Sequence, residues 1–409
     1  MSVPSLRKFP YPYRAAFSFA NDVDNTPSLG IFLELMKFLN TDSMTPLGKG
    51  LDLEVGSSFW FFNLTNTPQL SYYDGGSRIN TRFASFCRAL WKSGHLDMLH
   101  TYGDFDEGGF EREFAEHSIN ELEKYGAGIK VWINHGNRNN LQNLGRSEYQ
   151  EGADPKSSAY HFDLLRSYGV RFIWSGRMTH VIGQNAEKTY NVRLANFAQK
   201  LLSKTKYRYL QESLFDFKNR LSMKIALQDA SEVWDFVRFV NRFGREKTQD
   251  VCDLVKQTDP AVIKLLISNS GYLILYTHMC EGVLNLKDLP RKLINNFEFL
   301  AKVYREGRLL VATTSRLLQY NERHDNIVWQ TDNKDGVERI EISPHINALG
   351  PKQKLSESML QGITFYCDDP QKTAIFFDGK PIGIKKNPRD TTGRYSVTIP
   401  WRRLEYPYN

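Results

Sequence analysis

Ala15-Ala-Phe-Ser-Phe-Ala20 is an apolar run of strand length that passes directly into Asn21-Asp22-Val23-Asp24. A buried strand that ends in carboxylates is the unit on which the fold reading turns, because the same pattern recurs downstream. Ile129-Lys-Val-Trp-Ile133, Val170-Arg-Phe-Ile-Trp174, Tyr272-Leu-Ile-Leu-Tyr276 and Leu309-Leu-Val-Ala312 are further short apolar runs. Helical spacing separates them over residues 110–125 and 159–168, the latter stopped by Gly169 as a C-cap. Strands and helices alternating in this way predict a mainly parallel sheet, open or closed into a barrel.

In parallel α/β folds the working residues gather where the strands end, because that edge collects the loops. Asp22 and Asp24 follow the first run; His100 and Asp104 follow Ser93-Gly-His-Leu-Asp-Met-Leu99. Asn134, His135 and Arg138 follow the run ending at Ile133, and Thr277-His278 follows Tyr276. Side chains at i and i+2 of an extended segment face the same way, so Asp22 and Asp24 can share one site. Carboxylates and imidazoles converging on one rim are the donor set of a divalent metal that keeps a position open for water.

The chain has 409 residues, 41% of them hydrophobic and 24% charged, which is globular composition with more length than one ordinary domain requires. No apolar run reaches bilayer-spanning length, and the N-terminus lacks the apolar core of a signal peptide, so a cytoplasmic protein is expected. The four cysteines are scattered without a CxxC pair, which argues against a disulfide framework or a zinc knuckle. The net charge of +7 raises nucleic acid as a partner. Residues 372–409, however, hold eight Lys and Arg against three Asp and Glu, or +5 of that total. The remaining chain is nearly balanced, and no nucleic-acid partner is expected.

Two regions break the strand–helix rhythm. Residues 184–259 read as a helical, charge-rich insertion, with Trp234, Phe236 and Phe239 as core. Beyond Tyr320, short alternating segments such as Thr373-Ala-Ile-Phe-Phe377 and Tyr395-Ser-Val-Thr-Ile399, separated by turn residues, predict a β-rich, sandwich-like domain. The domain reading is therefore a barrel over residues 1–320 and a β domain over 321–409.

Gly94-His95-Leu-Asp-Met-Leu-His100-Thr101-Tyr-Gly-Asp104, the early Asn21-Asp22-Val-Asp24 and the late Leu275-Tyr-Thr-His278 resemble, in order and placement, the motifs of the NodB-type polysaccharide deacetylases. The resemblance covers about residues 10–315. It implies a distorted (β/α) barrel and a metal-dependent N- or O-deacetylase site. It implies metal ligation by Asp24 or Asp22, with His100 and with Asp104, which stands where the family's second metal histidine would be. With Asp24 as ligand, Asp22 is the general base, and His278 protonates the departing amine or alcohol. The family's adjacent Asp-Asp is replaced here by Asp22-Val-Asp24, and its Arg-Pro-Pro segment is absent.

His135 is assigned a catalytic role at the rim, and Asn134, Arg138 and the aromatic Trp174 are assigned substrate contact. The expected cofactor is a divalent metal, zinc first, with Mn, Co or Ni as alternatives. The expected substrate is a carbohydrate, an acylated amino sugar or polysaccharide intermediate of surface polysaccharide assembly. A glycoside hydrolase on a similar barrel, with two carboxylates as acid and nucleophile, and a glycan-binding barrel without catalysis are the competing readings.

Overall fold

The computed structural model describes residues 4–136, 139–186, 190–206, 218–240, 250–346, 348–349 and 353–408. The chain divides into two units. One comprises Phe17–Lys302, Val311–Ser315 and Leu404–Asn409, the other Met1–Ala16, Val303–Leu310 and Arg316–Arg403.

Among the described residues the main sheet has eleven strands: β1 (Ala15–Asn21), β2 (Ser57–Phe59), β3 (Leu96–His100), β4 (Val131–Ile133), β5 (Phe172–Trp174), β6 (Met178–Thr179), β7 (Ser222–Ala226), β8 (Glu232–Phe236), β9 (Arg238–Phe239), β10 (Tyr272–Thr277) and β11 (Leu309–Val311). Ten lie in the order β6-β9-β10-β1-β2-β3-β4-β5-β8-β7, while β11 adds to β1, giving a curled half-barrel in a mixed α/β fold. Pairing is parallel from β1 through β5 and on to β8. All seven residues of β1 and all five of β3 are buried, as expected of strands covered on both faces.

Helices α1 (Leu29–Asn40), α2 (Arg82–Ser93), α3 (Arg112–Lys124), α4 (Phe162–Tyr168), α5 (Tyr190–Lys206), α6 (Val251–Gln257), α7 (Pro260–Asn269) and α8 (Arg291–Arg305) connect these strands. Their ends follow local chemistry. Thr81 caps α2 by accepting from the Phe83 N–H, and Gly94 ends it in the left-handed conformation at φ 77°. Ser93 is therefore the last helical residue, and the strand read from there begins only at Leu96. Gly169 closes α4 in the same left-handed way.

The stretch read as a helical insertion differs most from expectation. It contains α5, but β7 and β8 form an antiparallel hairpin in which Ile225 pairs with Val233, and Arg238–Phe239 is the next strand. The physical reason is a period of two. Val233 and Asp235 are turned inward between the more open Glu232 and Trp234, a pattern masked by the charges that alternate with it.

Among the described residues, the second unit holds two four-stranded sheets. One runs Ser5–Arg7, Thr364–Cys367, Tyr395–Thr398, Lys385–Asn387, all pairs antiparallel. In the other, Trp329–Lys334 and Thr373–Phe377 flank Val337–Ile342, antiparallel and parallel respectively. Arg7 ties the N-terminal segment down by donating to Asp390 at 3.2 Å and to the Phe9 and Pro10 carbonyls.

Candidate metal centre

The site is built at the ends of β1, β3, β4 and β10, where parallel pairing brings four loops to one edge. Asn21 fastens this corner. Its Nδ2 donates to Ser57 Oγ at 2.8 Å and its Oδ1 accepts from the Met279 N–H at 2.8 Å, linking the end of β1 to the start of β2 and to the loop after β10. The Asp22 N–H donates to Thr277 O at 2.9 Å, so the two aspartates enter the site beside His278.

Asp24, His100 and His135 place one potential ligand atom each within 4.8 Å of one another. His100 Nδ1 is 3.4 Å from Asp24 Oδ1, and His135 Nδ1 is 4.0 Å from Asp24 Oδ2. Both Asp24 Oδ1 and His100 Nδ1 are buried without a hydrogen-bond partner. Buried polar atoms are normally satisfied, so orphaned donors converging on one point fit a cation that the protein groups themselves do not replace. Burial pushes His100 down to about 4 against the pull of Asp22 and Asp24, which keeps its ring neutral with a lone pair to give. Burial by itself would raise the Asp24 carboxyl, but His278, His100 and His135 together hold it well below the usual carboxylate range.

Each ring is positioned. Trp60, wholly buried, stacks on His100 at 5.3 Å between centroids and meets His135 edge-on at 5.1 Å. Thr101, a β-branched residue held at φ 51°, turns the chain immediately after His100 while its hydroxyl donates to Gly103 O at 2.9 Å. This left-handed backbone at a branched residue is strained, a feature common beside functional groups. His135 is held by a reciprocal pair: its N–H donates to Asn143 Oδ1 at 3.0 Å, and Asn143 Nδ2 donates back to its carbonyl at 2.8 Å.

Asp104 enters differently from expectation. It groups with Asp106 and His135, 3.8 Å from His135 Nε2, whereas His135 joins Asp24 and His100. Its Oδ2 already accepts from Gln69 Nε2 at 2.8 Å and Thr65 Oγ1 at 3.1 Å. Asp106 accepts from Asn140 and lies so close to Gly136, at φ 67°, that a Cβ there would overlap its carboxylate.

Asp22 is fully buried against Arg238, whose Nη1 donates to its Oδ2 at 2.6 Å, while Oδ1 has no hydrogen-bond partner. Asp22 Oδ2 is also 3.9 Å from His100 Nε2 and 4.0 Å from His278 Nε2. His278 lies between two carboxylates, Asp24 at 3.2 Å and Glu281 at 3.1 Å. Burial opposes protonation of its ring, but these two neighbours raise it well above the ordinary imidazole value.

The other expected substrate contacts are placed as follows. Trp174 is 8% exposed, its Nε1 donates to Arg177 O at 2.6 Å, and the Arg238 guanidinium sits over its face at 3.7 Å. That face is therefore a support for Arg238 and not an open platform for a sugar ring. Asn134 is buried, with Oδ1 accepting from Trp132 Nε1 and the Leu144 N–H and Nδ2 donating to Leu144 O, so its amide closes the loop. Arg138 lies outside the described residues.

Sequence reading missed Arg238, Glu281, Gln69 and Asn143. A lone arginine inside the apolar run Val237-Arg-Phe-Val240 is a signal for the first, and Glu281 stands three residues after His278. The loop amides carry no signal of their own. Set against protein-family models, curated proteins and solved structures, the chain matches none of them.

Proposed function

We propose that this protein is a metal-dependent hydrolase of the polysaccharide deacetylase type, removing an acyl group from an amino sugar or glycan. The observation that carries the reading is the convergence of Asp24, His100 and His135 around orphaned ligand atoms, beside a clamped second aspartate. Asp24, His100 and His135 would hold the ion; zinc suits two imidazoles and a carboxylate, with Mn, Co or Ni as alternatives. Bound there, it would supply Lewis acidity.

The chain's own groups complete the reaction. Asp22 takes the proton of the attacking water on Oδ1, the oxygen that Arg238 leaves without a bond. His278, held protonated between Asp24 and Glu281, donates to the nitrogen or oxygen of the leaving group as the acyl bond breaks. The products are the free carboxylic acid and the amine or alcohol. A groove of about 860 Å³ lined by Asn63, Thr65, Gln69, Ser71, Asp74 and Arg82 reaches the partners of Asp104. The same groove is lined by Leu29, Leu33, Leu70, Phe83 and Phe86, so it offers a sugar both hydrogen-bonding groups and apolar faces.

The test is to load the purified chain with zinc, manganese, cobalt or nickel and to measure acetate released from N-acetylated and O-acetylated oligosaccharides. Release that disappears in His100→Ala together with the bound metal supports the reading. A metal-loaded protein that releases no acetate from any of them overturns it.

A further inference from the structure

Helix α5 is set apart by what it exposes. Four of the ten exposed large hydrophobic side chains among the described residues lie on it: Tyr190 at 78%, Leu194 at 53%, Phe197 at 67% and Leu201 at 57%. Their spacing of four, three and four residues keeps them within about 60° of arc on an α-helix. The opposite face is seated on the protein. Val192 and Gln199 are buried there, and Gln199 Oε1 accepts from Thr179 Oγ1 at 3.0 Å and the His180 N–H at 2.6 Å. The apolar stripe is thus the outward face of an anchored helix.

The charge on this helix has one sign. Its sequence, YNVRLANFAQKLLSKTK, contains Arg193, Lys200, Lys204 and Lys206 and no Asp or Glu. By helical register, positions 193 and 200 fall on one flank of the stripe, about 70° to 90° from its centre. A narrow apolar stripe bordered by a basic row is the arrangement of a helix lying in a membrane interface. The complementary surface is apolar at depth and acidic at its rim, which is what an anionic bilayer offers. A second copy of the chain is a poorer occupant, because a symmetric contact would set two all-basic helices against each other.

We propose that α5 docks this protein on an anionic membrane surface, with Tyr190, Leu194, Phe197 and Leu201 entering the headgroup boundary and the basic flank over the acidic lipids. The docking is peripheral: among the described residues no helix is long and apolar enough to cross a membrane. It goes beyond the hydrolase reading and does not depend on it.

The experiment is co-sedimentation of the full chain with vesicles of phosphatidylcholine alone and with about one-third phosphatidylglycerol, at about 0.1 M salt. The expected result is binding to the anionic vesicles only, weakened by added salt. Binding should fall roughly tenfold or more in L194S/F197S, which removes the stripe, and in R193E/K200E, which keeps every apolar group. Circular dichroism identifies a variant that has lost its fold, and the other variant then decides. The proposal is overturned if the wild-type chain binds no vesicles, if it binds neutral vesicles equally, or if the folded variants bind as well as wild type. Self-association seen by light scattering and abolished by L194S/F197S would assign the stripe to a second copy and overturn it too.

Discussion

Arg238 Nη1 lies 2.6 Å from Asp22 Oδ2, and neither side chain has any exposed surface. The guanidinium is also sandwiched by Trp174 at 3.7 Å and Tyr276 at 4.4 Å from their ring centroids. A buried pair of this kind is not stabilising in itself, because desolvation offsets the attraction, but removing one partner strands the other charge. Arg238→Met is therefore expected to destabilise the fold by about 3–5 kcal/mol. Asp22→Asn added to it should recover much of that loss, and urea denaturation of the two single variants and the double variant measures the coupling.

The split between ligands and proton donor gives a second expectation. His100→Ala and Asp24→Asn should both lose bound metal, read by elemental analysis of the purified protein. His278→Gln should keep the metal, because Asp24, His100 and His135 form a group of potential ligands without it, yet lose about 10²-fold or more in kcat for acyl release. Loss of metal in His278→Gln equal to that in His100→Ala would move His278 into the ligand set.

The Asn143 side-chain amide bonds the backbone of His135, at 3.0 and 2.8 Å, and not its imidazole. Groups that orient ligands typically matter about 10–100-fold in metal affinity. Asn143→Ala is expected to weaken metal binding by roughly tenfold while leaving the ligand set intact, measured by competition with a chelator. Unchanged affinity would mean that the loop is fixed without it.

The rim carboxylates and histidines were legible because a strand end in a parallel sheet is a position that sequence marks. Asp22, Asp24, His100, His135 and His278 all stand within three residues of such an end. Register between strands was not legible, and register decided that His135, from the loop after β4, stands with Asp24 and His100 while Asp104 turns to Gln69 and Thr65. Arg238 was hidden for another reason: its partner lies 216 residues away in the chain, and its strand is only two residues long. The same non-locality hid Ser5–Arg7, an unremarkable terminal tripeptide whose strand character comes entirely from Thr364–Cys367.

Asp97, in the same strand as His100, supplies the pH prediction. It is buried, its Oδ2 accepts from the Ser315 N–H at 2.6 Å, and burial pushes its carboxyl up to about 7, with Glu54 adding to the rise against the hydrogen bonds. In the unfolded chain an aspartate titrates near 3.9. Between those values the native state holds a proton that the unfolded state has released, so stability falls as pH rises. The contribution is fully present below about 4 and is lost as the pH rises through about 7. Asp97→Asn, which carries no titrating proton, should flatten the stability profile over that window. Denaturation midpoints at successive pH values measure the difference, and a slope identical in wild type and variant would assign the pH dependence to another group.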